Sequence, residues 1–232
     1  MQPTFLTFPD PDAVASDAAV RFIALAEAAI AERGRFVVAL AGGSTPERLY
    51  KILATQTLDW TQIMVFFSDD RFVAPTSRYS NAGLALRLLP LCPKTTFPIP
   101  AETTLDAAEC AAQYEQELLA ALGPEPRFDL VLLGLGDDGH TASLFPGKAA
   151  LTATSGVTHS TPGVLPPPVD RVTFTFALIN AARSVLFLVT GAGKKEKVAQ
   201  WRAGEGSVST LPVQGVAPTH GTCTVLLDEA AS

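Results

Sequence analysis

Phe128-Asp-Leu-Val-Leu-Leu-Gly-Leu-Gly-Asp-Asp-Gly-His140 is a short apolar run that stops abruptly in glycines, two carboxylates and a histidine. A run of this kind reads as a strand buried on both faces, which is the habit of parallel sheets, and the glycines that follow read as a tight turn at its carboxyl end. Similar runs recur along the chain. Strands are expected over Phe36–Ala41, Ile63–Ser68, Phe128–Leu133, Val172–Phe176, Val185–Thr190 and Thr222–Leu227. Between them, Asp12–Arg33, Pro46–Ala54, Asn81–Leu89, Asp106–Leu122 and Lys194–Trp201 show helical spacing of apolar positions. Strands alternating with amphipathic helices predict an α/β fold: a Rossmann-like open, mostly parallel single sheet with helices on both faces. The stretch from Pro146 to Asp170 is dense in Pro, Thr, Ser and Gly and is expected to be a long loop, a class that is more often functional or mobile than idle.

The totals agree with one α/β domain over residues 1–232. The chain has 232 residues, of which 47% are hydrophobic and 17% charged, enough for one well-developed core. Its apolar runs fall far short of the roughly 20 residues needed to span a bilayer, and Met1 to Asp12 shows no basic-then-apolar signal pattern. A cytoplasmic protein with no membrane partner is expected. Cys92, Cys110 and Cys223 are widely separated, in none of the spacings that make zinc sites or disulfide frameworks. A net charge of −6 argues against a nucleic-acid partner, because such binding requires clustered Lys and Arg. Any anionic ligand has to be attracted locally.

Two turns are candidates for chemistry. In Phe36-Val-Val-Ala-Leu-Ala-Gly-Gly-Ser-Thr-Pro-Glu47 a strand runs through Gly42 and Gly43 into a helix start, where Ser44 with Glu47 is expected to form a capping box, or Thr45 to cap ahead of Pro46. Free amides and the helix dipole there make an anion site, although the same turn also serves plain α/β topology. The second turn places Asp137, Asp138 and His140 at a strand's carboxyl end, the ligand-binding edge of open α/β sheets. It also matches the dinucleotide pattern Gly-x-Gly-x-x-Gly. That reading fails, because two aspartates would repel a pyrophosphate, no acidic residue follows about 20 positions later, and Pro146-Gly147 interrupts the helix the motif needs. Gly191-Ala-Gly-Lys-Lys likewise lacks the leading glycine and the Ser/Thr of a nucleotide P-loop.

Of the histidines His140, His159 and His220, only His140 is flanked by carboxylates on a glycine-bounded turn. A carboxylate two residues away can orient one ring nitrogen and leave the other to accept a proton. Ile63-Met-Val-Phe-Phe-Ser-Asp-Asp-Arg71 ends a second buried strand in Asp69, Asp70 and Arg71, either a salt bridge closing the strand or part of a site. Arg171 and Lys194 are unremarkable singly; with Arg71 they could complete an anion site.

These residues carry a family resemblance. The chain resembles the 6-phosphogluconolactonases, which act second in the oxidative pentose phosphate pathway. The match runs nearly end to end and rests on Ala41-Gly-Gly-Ser-Thr-Pro46, on Phe67-Ser-Asp-Asp-Arg71 with Ser80-Asn81, and above all on Gly136-Asp-Asp-Gly-His-Thr-Ala-Ser-Leu-Phe-Pro-Gly147; Pro166-Pro-Pro-Val-Asp-Arg-Val-Thr173 and Leu186 to Lys194 extend it. The resemblance implies a hydrolase of a phosphorylated sugar lactone that needs neither metal nor cofactor; a monomer or small homo-oligomer is expected. It implies His140 as general base, Asp138 orienting it, and Arg71 near the lactone. The Gly42, Gly43, Ser44 and Thr45 turn, with Arg171 and Lys194, falls around the phosphate, and Asp69 among the substrate-binding residues. Two positions depart from the family pattern: Asp70 stands where Glu is usual, and Asp137 adds a negative charge beside the catalytic pair. The alternatives are a glucosamine-6-phosphate deaminase/isomerase, whose histidine typically leads into Asn-Glu-Pro rather than Thr141-Ala-Ser-Leu-Phe-Pro-Gly147, and a non-enzymatic sugar-phosphate sensor.

Overall fold

The computed structural model describes residues 2–101, 104–162 and 168–232. Six strands form one fully parallel sheet: β1 (Thr4–Phe8), β2 (Phe36–Leu40), β3 (Ile63–Phe67), β5 (Leu130–Leu133), β8 (Ser184–Val189) and β9 (Thr222–Asp228), in the order β1-β9-β8-β5-β2-β3. Every residue of β2 and of β5 is buried, which is why these runs read as unbroken apolar stretches and not as alternating ones. Asp129, the one charge in the Phe128–Leu133 run, sits just before β5 and is buried. It accepts the Val37 N–H (2.8 Å) and pairs with Arg33 (3.0 Å) and Arg183 (3.3 Å), so the charge is compensated where the strand enters the sheet.

The described residues also form six α-helices: α1 (Pro11–Arg33), α2 (Ser44–Leu53), α3 (Asn81–Leu88), α4 (Ala107–Leu122), α5 (Phe176–Asn180) and α6 (Lys195–Ala203). Asp10 caps α1 through the Ala13 N–H, and Asp106 with Glu109 forms a complete capping box at α4. The two faces of the sheet are covered separately. Phe22 of α1 packs edge-on against Phe36 of β2 (5.3 Å), whose register partner is Ile63. Three residues on, Phe66 points to the opposite face, where it meets Tyr114 of α4 (6.4 Å) and stacks on Phe97 (4.6 Å). Each aromatic ring so buried contributes on the order of 1.5–3 kcal/mol through removal from water.

Several expectations are corrected. The strands do not all belong to one sheet: a second, antiparallel sheet of order β4-β7-β6 is made by β4 (Asp69–Arg71), β6 (Val157–Ser160) and β7 (Arg171–Phe174). The segment expected as strand Val172–Phe176 is therefore β7, ends at Phe174, and gives way at Phe176 to the short helix α5. Ser68 is the joint between the sheets. Its N–H donates to Leu40 O of β2 (2.9 Å) while its own carbonyl accepts from Phe174 N of β7 (2.8 Å). The stretch 146–170 holds β6 and a short 3-10 turn at Ala149–Thr152 instead of being all loop; its residues 163–167, with Pro166 and Pro167 of the proline run, lie outside the described residues. The edge strand β1 lies in an amino-terminal stretch where no strand is expected from the sequence. No helix of the described residues is long and apolar enough to cross a membrane.

The order of strands locates the crevice. From β2 the chain moves to β3 on one side, then returns to β5 on the other side of β2. Connections leaving in opposite directions open a gap at the carboxyl ends of β2 and β5, which is where open α/β sheets bind ligands. The Gly42-Gly43 turn follows β2, and the Asp138/His140 turn follows β5.

Candidate active site

A cleft of about 170 Å³ lies at this switch point, lined by residues from six segments that include Gly42, Asp69, Arg71, Asn81, His140, Arg171 and Lys194. A larger hollow of about 570 Å³ lies elsewhere, lined by Glu115, Arg127, Leu178 and His220, and holds none of the candidate site residues. Size alone is a poor guide here; the smaller cleft holds the convergent charges.

The histidine turn is built around a missing side chain. His140 Nδ1 lies 2.5 Å from Asp138 Oδ1, which also accepts the His140 backbone N–H at 3.0 Å. Gly136 makes this possible, since a Cβ there would lie 2.0 Å from His140 Nδ1 and 2.8 Å from Asp138 Oδ1. The ring packs on Phe145 (centroids 4.5 Å apart) and is mostly buried. Partial burial of Asp138 works to raise its carboxyl, but the hydrogen bonds and charge of His140 outweigh that, and the net displacement is downward. Asp138 thus stays ionised behind the ring, and with Nδ1 engaged, Nε2 is the ring nitrogen left for the cleft.

The next turn departs from its expected capping. Gly43, at φ +114°, is the N-cap of α2, Ser44 is the first helical residue, and no side chain caps the helix. Glu47, expected to reach back to Ser44, instead pairs forward with Lys51 Nζ at 2.7 Å. Thr45 is buried, its hydroxyl 2.7 Å from that of Thr190 just beyond β8. Pro46 has no N–H, so the donors of this helix start are the amides of Ser44 and Thr45. Tyr50 fixes the approach to the turn: its hydroxyl donates to Ala41 O (2.5 Å) and accepts from Ala41 N (3.2 Å). The cleft lining includes Gly42; Ser44 opens on a separate hollow beside Arg48 and Lys51.

The charged strand end divides its work. Asp70 is buried and accepts the N–H groups of Arg71 (2.8 Å), Asn81 (2.7 Å) and Ala82 (2.9 Å) and the Ser80 hydroxyl (2.9 Å). It therefore holds the amino terminus of α3; burial pushes its carboxyl up to about 6 against these donors. Asp69 faces the cleft, yet its carboxylate is occupied by the Ser143 hydroxyl (2.5 Å) and the Asn81 amide (3.3 Å). Arg71 Nη1 donates to Tyr79 O and Asn81 Oδ1, both at 2.9 Å, and Arg71 Nε is buried with no hydrogen-bond partner among the described residues. Arg171 is nearly fully buried with its guanidinium 5.4 Å over the Phe145 ring. Burial pulls its guanidinium below the ordinary value, as does Arg71, while Asp69 and Asp70 oppose them. Lys194 pairs with Asp137, so the extra charge beside the histidine turn is answered by the lysine.

The fold thus brings Gly42, Asp69, Arg71, His140, Arg171 and Lys194 to one cleft, with Asp138 behind His140. It adds Asn81, which sequence reading treated as part of a motif and a helix start; the Ser80-Asn81 pair following Asp-Asp-Arg was the signal available. The model of the glucosamine-6-phosphate isomerases/6-phosphogluconolactonase family matches residues 9–225. The chain belongs to this family. A 6-phosphogluconolactonase of Synechocystis is 42% identical over 216 residues, covering 88% of this chain and 86% of that one, and one of Nostoc is 39% identical over 251 residues, covering 100% and 98%. Among solved structures, a 6-phosphogluconolactonase from Trypanosoma cruzi superposes with a TM-score of 0.91 at 28% identity, covering 100% of this chain and 97% of that one. The fold is shared with that structure over the whole of this chain.

Proposed function

We propose that the whole chain, acting as a single domain, hydrolyses 6-phospho-D-glucono-1,5-lactone to 6-phosphogluconate. The observation that carries this reading is the Asp138–His140 pair set in one cleft with Arg71, Arg171 and Lys194: a polarised base facing three cations. The names of the relatives at 42% and 39% identity support the lactonase activity over that of a deaminase.

In this mechanism His140 Nε2 takes a proton from water as the water oxygen attacks the lactone carbonyl carbon. The carbonyl π electrons move to oxygen, and the resulting tetrahedral oxyanion is held by Arg71 or by backbone amides of the cleft. The oxyanion then collapses, the bond to the ring oxygen breaks, and the imidazolium returns its proton to that oxygen. The acid formed ionises to the carboxylate. Asp138 keeps the ring in one tautomer and stabilises its protonated form. Arg171, Lys194 and the start of α2 bind the 6-phosphate, whose binding energy holds the carbonyl against the water, and Asp69 contributes to the wall that receives the sugar. The chain acts in the cytoplasm, as a monomer or small homo-oligomer.

The test is turnover of the phosphorylated lactone by His140→Gln and His140→Ala. A loss of about 10²–10⁴-fold in kcat with the fold retained is expected; near wild-type turnover refutes the assignment. Release of ammonia from glucosamine 6-phosphate would move the chain to the deaminase branch of its family.

A further inference from the structure

We infer that Asn81 is a positioning residue that sets the direction of the Arg71 guanidinium in the cleft. This rests on the proposed lactonase reading and deepens it. Asn81 is buried at the first position of α3 and makes three contacts with its side chain. Its Oδ1 accepts Arg71 Nη1 at 2.9 Å, and its Nδ2 donates to Asp69 O at 2.9 Å and to Asp69 Oδ1 at 3.3 Å. The chemistry of the partners fixes which way the amide faces. A guanidinium can only donate, so it must meet the amide oxygen; a backbone carbonyl can only accept, so it must meet the amide nitrogen.

The consequence lies in which edge of Arg71 remains. With Nη1 held by Tyr79 O and Asn81 Oδ1, the planar fork left over is the Nε–Nη2 edge, and Nε is the buried donor without a partner among the described residues. A two-donor fork of that kind suits two oxygens of an anion, or one oxygen on which charge develops. Without Asn81, the guanidinium keeps one anchor and can rotate about it. The same side chain also explains Gly42: a Cβ there would lie 1.7 Å from Asn81 Oδ1 and 2.3 Å from its Cγ, although the backbone at Gly42 is not in the left-handed region. Asn81 therefore spans the gap between the turn after β2 and the charged end of β4. Removing its side chain leaves the helix start intact, because Asp70 binds the Asn81 backbone N–H, not its amide.

The experiment is a double-mutant cycle read by kcat and KM on the phosphorylated lactone, with thermal unfolding measured on each protein. Asn81→Ala is expected to lower kcat/KM about 10²-fold, the scale of a misplacement of about 1 Å. Arg71→Met is expected to lower it at least as much, and the pair to be no worse than Arg71→Met alone. Multiplying losses in the double variant would show that Asn81 acts independently of Arg71 and would overturn the inference. If Arg71→Met turned over normally, the role of Arg71 in the reaction would fall, and the inference with it, whereas the His140 variants would still test the reaction itself. A second readout does not depend on Arg71: Gly42→Ala is expected to impair the parent protein severely and to cause little further loss in the Asn81→Ala background, where the clash is gone. Equal damage in both backgrounds would place Asn81 elsewhere and overturn the inference.

Discussion

Arg71 and Arg171 are direct cross-strand partners, Cα opposite Cα, in the antiparallel ladder of β4 and β7. Like charges directly opposite one another on a sheet destabilise it, and an anion bound at the phosphate site proposed above would relieve that repulsion. Inorganic phosphate is therefore expected to raise the melting temperature. At about 100 times its dissociation constant the stabilisation is about 2.7 kcal/mol, roughly 5–10 °C for a chain of this size. Arg171→Met should remove most of that shift. A wild-type melting curve unmoved by phosphate would show that the two guanidinium groups do not form an anion site.

Gly136 has a sharper consequence for turnover than for binding. The Cβ of Gly136→Ala would fall 2.0 Å from His140 Nδ1, which drives the ring off Asp138. A loss in kcat of about 10²-fold is expected with KM changed only a few-fold. Steady-state kinetics on the folded variant decides it; an unchanged kcat would mean that the Asp138–His140 contact is dispensable.

Asp137 competes for Lys194. The carboxylate is largely exposed and pairs with the lysine at the rim of the cleft, so Asp137→Asn should change stability by less than about 1 kcal/mol. Freed of that partner, Lys194 is available to the substrate phosphate. KM for the phosphorylated lactone should fall about two- to five-fold with kcat unaltered, and an unphosphorylated lactone should show no difference. A rise in KM would indicate that Asp137 places the lysine correctly.

Acid should erase the structural contribution of Asp138. Its folded carboxyl lies below the ordinary value, because the hydrogen bonds and charge of His140 prevail over the opposing effect of burial. The native state then binds fewer protons than the unfolded state over the interval between the two values, so stability falls as the pH falls through it. The advantage of wild type over Asp138→Asn is expected in full above about pH 4 and to vanish as the pH drops through the folded value. Urea denaturation of both proteins at pH 7, 4 and 3 measures it; a gap that widened on acidification would contradict the assignment.

The elements whose causes are local are legible in the sequence. Val37, Val38, Leu40 and Leu130–Leu133 are buried on both faces and read as parallel strands because nothing in them alternates. The glycines after β2 and β5, and the histidine with a carboxylate two residues away, mark the two turns, since a turn needs only its own few residues. Tertiary structure decided the rest. Ser68 carries the chain from one sheet into another, because its N–H bonds to β2 and its carbonyl to β7, more than one hundred residues away; Asp69–Arg71 therefore form a ladder where a strand mouth was expected. The cap of α2 passed to Gly43 because Thr45 is bonded to Thr190 and Glu47 to Lys51. Asn81 is legible as part of the Ser80-Asn81 motif and as a helix start, but its place between Gly42, Asp69 and Arg71 is not. Each of these outcomes depends on which distant donors and acceptors become neighbours when the sheet closes, and spacing along one chain carries no record of that distance.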